Sequence, residues 1–169
     1  MVEIMNNIKL VRIDFRLIHG QVITKWRNII SATEIVIVDD KLSKDSFLAD
    51  IYVMAAPPGV RVNVLSEEAF ISGVRAGQYD NGKDNVLLLF KSIGNLRHLI
   101  EQDVNLPTVQ IGGLGGGVNR RSVVNGISID DQDLQDLKFI QERGTEVYFQ
   151  VTPEEVRLTL DKAISRLEG

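Results

Sequence analysis

The sequence predicts an α/β fold: a single domain over residues 1–169 with a mainly parallel open sheet, helices on both faces and one antiparallel strand. Three observations carry this. Short β-branched runs alternate with longer runs whose apolar residues recur at spacings of three and four. Most of the short runs are almost continuously apolar, the pattern of parallel strands covered on both faces. The chain of 169 residues, 44% hydrophobic and 25% charged, has the size and balance of one ordinary globular domain, and no linker divides it.

The strands fall at residues 8–13, 34–38, 61–65, 85–90, 108–111 and 146–151. A helix at 20–30 follows the first strand. A second, at 43–56, takes Ser43 as N-cap and stops at Pro57-Pro58-Gly59. The helix at 66–76 begins Ser-Glu-Glu, which puts acids in the first turn where the helix dipole favours them. Further helices span 92–102 and 130–143, the latter closed by Gly144. Thr152-Pro153 opens the last helix, with threonine as cap and proline at the first helical position. The stretch 122–129 reads either as a hairpin turning at Asn125-Gly126 or as one strand entered through a loop.

A formal net charge of −4 argues against nonspecific binding to nucleic acid. The absence of cysteine removes disulfides, thiolate catalysis and thiolate metal sites. No apolar run has the length to span a bilayer and the first residues do not form a signal peptide, so the expected location is cytoplasmic. Docking on a membrane partner remains compatible with that.

Ligands of open parallel sheets bind beyond the carboxyl ends of the strands. The loop leaving the first strand holds Arg12, Asp14, Arg16, His19 and Gly20 just ahead of a helix. Guanidiniums suit phosphate oxygens because their planar fork bonds two at once, and a helix N-terminus adds free N–H groups. A neutral imidazole there offers a nucleophilic lone pair. The competing reading makes the arginines solvated surface charges and His19 a capped loop residue. The residue types alone favour an anion site and go no further.

The run Arg-Ile-Asp-Phe-Arg-Leu-Ile-His-Gly-Gln-Val at 12–22 closely resembles the active-site segment of the mannose/fructose/sorbose family of phosphotransferase-system IIB subunits. The resemblance continues through Val36-Ile37-Val38-Asp39-Asp40, the Ala-Pro-Pro-Gly turn at 56–59, Leu87-Leu88-Leu89-Phe90-Lys91, Ile111-Gly112-Gly113 and the segment 128–134. It implies that His19 accepts a phosphoryl group on its pros nitrogen, Nδ1, from phosphohistidine on a IIA protein or domain. His19 would then pass the group to a sugar held by membrane IIC and IID subunits, with the chain peripheral to that transporter. Arg12 and Arg16 match the family's two arginines, expected to neutralise phosphoryl oxygens during transfer. Asp14 matches an acid that orients the ring, holds an arginine or caps the loop. Gly20, Gly112 and Gly113 are expected to support the loops. No metal and no cofactor are implied. The sequence departs from the family pattern at Phe15, where a second acid is usual, and at Gln110 and Leu114, where asparagine and methionine are common.

The cluster at 112–117 follows a strand, but it lacks the Lys-Ser/Thr of a P-loop and does not fit G-x-G-x-x-G. Its glycines are expected to permit tight turns near the His19 site. Arg120 and Arg121 read as solvated charge or partner contacts, His98 as the polar face of a helix, Asp39-Asp40 as a helix entry, Ser66 as a cap and Trp26 as a core or groove aromatic. Two other functions compete with phosphoryl relay. One is a IIB-like sensor of phosphorylation state without transport; the other is a nucleotide enzyme on a Rossmann-like sheet.

Overall fold

The computed structural model describes residues 5–169; residues 1–4, and the reading of them as no signal peptide, lie outside it. In chain order the first elements are β1 (Ile8–Asp14), α1 (Gly20–Ile30), β2 (Glu34–Val38), α2 (Asp40–Lys44), α3 (Ser46–Met54), β3 (Arg61–Leu65) and α4 (Glu67–Arg75). They are followed by β4 (Val86–Phe90), α5 (Ile93–Glu101), β5 (Thr108–Gly113), β6 (Arg121–Val124), β7 (Ile127–Ile129), α6 (Asp131–Glu142), β8 (Glu146–Phe149), β9 (Leu158–Thr159) and α7 (Leu160–Glu168). The main sheet runs β3-β2-β4-β1-β5-β8-β9 and is parallel except for β9, which pairs antiparallel with β8. The expected mainly parallel sheet with one antiparallel strand is therefore present.

Side chains alternate across a strand with a period of two, so each buried strand feeds two layers. Leu10, Ile35, Ile37, Leu87 and Leu89 pack with Ile23 and Trp26 of α1 and with Leu42 of α2 on one face. Val11, Ile13, Val36, Leu88 and Phe90 pack on the other with Phe70 of α4, Leu96 of α5, Leu137 of α6 and Leu160 of α7. The apolar continuity seen in the sequence is this two-sided burial. The β1 position between Val11 and Ile13 is instead Arg12, and its partner in the β5 register is Gln110. Both are 0% exposed.

The expected helix at 43–56 is two helices, and Ser43 lies inside the first of them. Asp39 caps α2 by accepting the Leu42 N–H at 2.8 Å, and Asp45 caps α3 by accepting the Leu48 N–H at 3.1 Å. A short acceptor such as Asp45 competes with the helix for nearby backbone N–H groups, and here it wins. The helix expected from Thr152-Pro153 is absent as well. That segment is a turn in which the Glu155 N–H meets the Thr152 carbonyl at 3.1 Å. No apolar period follows the threonine-proline pair. One does follow Thr159, which caps α7 and buries Leu160 and Ala163.

The stretch 122–129 is the hairpin β6–β7, turning at Gly126 with φ +92°. Arg120 holds it to the rest of the domain. Its guanidinium donates to the carbonyls of Gly115 at 2.8 Å and Ser128 at 2.7 Å, and to Asp130 at 3.1 Å and Asp133 at 3.0 Å. Arg120 is thus a clamp between the glycine loop, the hairpin and the capping box of α6. Arg121 instead pairs with Asp131, whose side chain is 89% exposed.

Charged hydrogen bonds are worth about 1.5–3 kcal/mol when partly buried, whereas isolated surface changes stay within about 0.5 kcal/mol. Arg120→Ala is therefore expected to lower unfolding stability by about 2 kcal/mol in urea titration and Arg121→Ala to leave it almost unchanged. Equal effects from the two would show that the clamp contributes nothing.

Candidate active site

The site lies beyond the carboxyl end of β1, where the chain turns sharply into α1. The Leu17 N–H closes the turn on the Asp14 carbonyl at 3.0 Å, and the Phe15 N–H pairs with the Gly113 carbonyl at 3.0 Å. Leu17 has φ +56°, a left-handed conformation that costs a non-glycine residue about 1–2 kcal/mol. Its fully buried side chain in the α1 layer offsets that cost. Gly20, with φ +48°, takes the same region without a side chain to strain. Between them His19 occupies the N-cap of α1 in an extended conformation and forms no side-chain capping bond. Its ring is left for other work.

That ring faces Asp14: His19 Nε2 lies 2.9 Å from Asp14 Oδ2, with the imidazole side chain 17% exposed and the carboxylate 1%. Asp14 Oδ1 accepts the Arg16 backbone N–H at 3.1 Å, which fixes the carboxylate in the turn. An ionised carboxylate can only accept, so in the neutral tautomer that this contact favours the shared hydrogen sits on Nε2 and Nδ1 carries the lone pair. All three roles open to Asp14 are present in the geometry: it holds the ring, it holds an arginine and it caps the loop.

Arg12 is placed differently from expectation. Expected to neutralise phosphoryl oxygens, it has instead a fully buried guanidinium whose two terminal nitrogens are engaged inward, while Nε has no partner among the described residues. Nη1 donates to Gln110 Oε1 and to the Gln150 carbonyl at 3.2 Å. Nη2 reaches Asp14 Oδ2 at 3.2 Å, the Gly112 carbonyl at 3.2 Å and the Val151 carbonyl at 3.1 Å. The Trp26 ring lies 5.7 Å from its Cζ, and the indole N–H shares the Val151 carbonyl at 3.0 Å. Burial pulls the guanidinium's pKa below its ordinary value, Asp14 opposes this, and the group stays charged. Buried arginines survive because acceptors surround them, and here backbone carbonyls supply most of those acceptors.

Gly112 and Gly113 exist for close approach. A Cβ on Gly112 would stand 2.0 Å from Arg12 Cζ, and one on Gly113 would stand 2.9 Å from Asp14 Oδ1. The two glycines form the floor on which the ion pair lies; the tight turns expected of them do not occur there. Arg16 is exposed, with its Cζ 5.6 Å from the centroid of the Phe15 ring. Phe15 is itself 41% exposed, so it belongs to the rim and not to the core.

Beyond Phe15 runs a groove of about 730 Å³ past Leu48, Tyr52, Asn95 and His98. His98 stands apart from His19 and pairs through Nδ1 with Glu67, which raises the imidazole's pKa chiefly by that hydrogen bond. Asp40 accepts the Glu67 backbone N–H at 2.8 Å, and Ser66 caps α4 through the Ala69 N–H at 3.1 Å. Sequence reasoning missed Gln110 and Gln150 as parts of the site. The available signal was a polar residue in the middle of each of two apolar strands, Val11-Arg12-Ile13 and Val109-Gln110-Ile111.

Comparison with known proteins identifies the family. The family model described as PTS system sorbose subfamily IIB component matches residues 8–168. The sorbose-specific EIIB component of Klebsiella pneumoniae is 33% identical over 144 residues, covering 85% of this chain and 87% of that protein. The mannose-specific EIIAB component of Escherichia coli (strain K12) is 30% identical over 161 residues, 95% of this chain, and this chain spans 49% of its length. The crystal structure of the IIBSor domain of the sorbose permease from Klebsiella pneumoniae superposes with a TM-score of 0.85 at 30% identity, covering 94% of this chain and 96% of that one. A match across nearly the whole chain, in sequence and in fold, places this protein in the sorbose subfamily of phosphotransferase-system IIB components, within the mannose/fructose/sorbose family.

Proposed function

We propose that His19 is a phosphoryl carrier: it accepts the group from phosphohistidine on a IIA protein or domain and delivers it to a sugar held by membrane IIC and IID subunits. The observation that carries the proposal is the 2.9 Å contact between His19 Nε2 and Asp14, which leaves Nδ1 as the nucleophile. In the transfer the Nδ1 lone pair forms the new N–P bond while the donor's N–P bond breaks and its ring nitrogen leaves with the electron pair. The His19 ring gains positive charge, and Asp14 at Nε2–H stabilises it as it forms. In delivery the sugar oxygen forms the new O–P bond as the His19 N–P bond breaks, the pair returns to Nδ1, and the hydroxyl proton passes to solvent.

Arg16 suits the oxygens of the transferred group, being exposed on the same loop three residues before His19. The unpaired N–H groups at the start of α1 suit the same oxygens, since His19 itself provides no side-chain cap. Arg12 takes another part, holding Asp14 from beneath. Among the described residues no helix is long and apolar enough to cross a membrane. The proposal accordingly places the chain on the cytoplasmic side, docked on the membrane subunits, and leaves the choice of sugar to them.

Labelled phosphate passed from phosphorylated IIA tests the assignment. His98→Gln is expected to take label as the parent does and His19→Gln to take none, the label being lost in acid and kept in base. Full labelling of His19→Gln would overturn it.

The arginines should separate. Arg16→Ala is expected to keep its melting temperature and to slow transfer by about one to two powers of ten, with partial recovery in Arg16→Lys, which keeps the charge but loses the fork. Arg12→Ala removes the buried cation that faces Asp14 and three interior carbonyls and is expected to cost about 3–5 kcal/mol of stability in denaturant titration. A normal transfer rate in Arg16→Ala, or an unchanged midpoint in Arg12→Ala, contradicts the respective role.

A further inference from the structure

Arg12 has an unusual distribution of hydrogen bonds. Asp14 receives one contact from it, at 3.2 Å, where a guanidinium beside a carboxylate commonly makes two parallel ones. Both hydrogens of Nη1 are committed elsewhere, to Gln110 Oε1 and the Gln150 carbonyl, an anchorage that holds the guanidinium with its buried Nε–H unpaired among the described residues. Those of Nη2 are shared among Asp14, Gly112 and Val151. Gln110 is the only side chain other than Asp14 among these acceptors. It lies opposite Arg12 in the β1–β5 register, fully buried, and its amide nitrogen is 3.4 Å from Gln150 Oε1. Gln150 is anchored in turn by donating to the Glu155 carbonyl at 2.8 Å.

We infer that Gln110 is a positioning residue for His19: by anchoring Arg12 Nη1 it keeps the guanidinium from closing a two-pronged pair on Asp14, so that Asp14 Oδ2 remains available to His19 Nε2–H. Oδ2 already serves both Arg12 and His19, and a carboxylate drawn into a second bond to the guanidinium would be a poorer acceptor for the imidazole. The ring would then lose the bond that leaves Nδ1 unprotonated. Gln110 acts through Arg12 and Asp14 and touches no reacting atom. The inference rests on the reading of His19 as the phosphoryl carrier.

The test uses the full chain with phosphoramidate, a small phosphoryl donor that needs no partner protein. Gln110→Met keeps the length of the side chain and removes the acceptor. Gln110→Glu keeps an acceptor at the same reach, and Gln110→Asn withdraws it by one methylene. Gln110→Met is expected to lower the saturating rate of His19 phosphorylation about tenfold at an unchanged half-saturating concentration. The His19 Nε2–H signal in nitrogen-resolved NMR should disappear into solvent exchange. Gln110→Glu should retain the signal and a rate within about threefold of the parent, with Gln110→Asn between the two.

Should Gln110→Met not fold, the Glu and Asn variants decide the matter by the same readouts. Parent rates with the Nε2–H signal intact in Met and Asn would overturn the inference, as would an effect confined to the half-saturating concentration. If the parent takes no phosphoryl group on His19, the carrier reading fails, while the NMR comparison still decides whether Gln110 positions the ring.

Discussion

The ion pair of Arg12 with Asp14, sealed between β1, β5 and Trp26, is the constraint on which the rest of the site depends. A charged guanidinium inside an α/β domain is tolerable only where acceptors converge on it. β5 and the chain after β8 provide them, as the Gly112, Gln150 and Val151 carbonyls and the Gln110 amide. Gly112 must lack a side chain for the guanidinium to fit, and Gly113 must lack one for the carboxylate. What this buried set presents to the loop is one oxygen of Asp14, aimed at one nitrogen of His19.

The sheet order explains why these groups meet. β1 lies between β4 and β5, and its connection through α1 leads to β2 on one side while the connection of β4 through α5 leads to β5 on the other. Such crossings open a cleft at the strand ends, where connecting loops diverge. The strained Leu17 turns the chain within that cleft and leaves His19 as the first residue of α1 in the broad sense, with its ring free. Rigid strands thus carry Arg12 and Asp14, and only His19 and Arg16 lie on the loop.

Much of this was legible in the sequence because burial on two faces writes itself as apolar runs, and the residues at 12–22 form a dense and specific motif. The strand positions, the helix after β1 and the grouping of His19 with Asp14 followed from those signals. What failed had local causes. Asp45 interrupts an apolar helical run by its own side-chain bond, and Thr152-Pro153 imitates a helix start without an apolar face behind it. The burial of Arg12 was not legible for another reason. An arginine two residues from an acid looks the same in sequence whether the strand turns it to solvent or to the interior. Only the register that sets it against Gln110, over Gly112, distinguishes the two.

The central claim is that Asp14 occupies Nε2 of His19 and so directs phosphoryl chemistry to Nδ1. The most direct measurement is nitrogen–phosphorus correlation NMR on the phosphorylated, nitrogen-15-labelled protein. The account predicts coupling of phosphorus to Nδ1 of His19, with Nε2 still bearing its hydrogen. Coupling to Nε2 would contradict it, because that nitrogen faces a carboxylate oxygen at 2.9 Å.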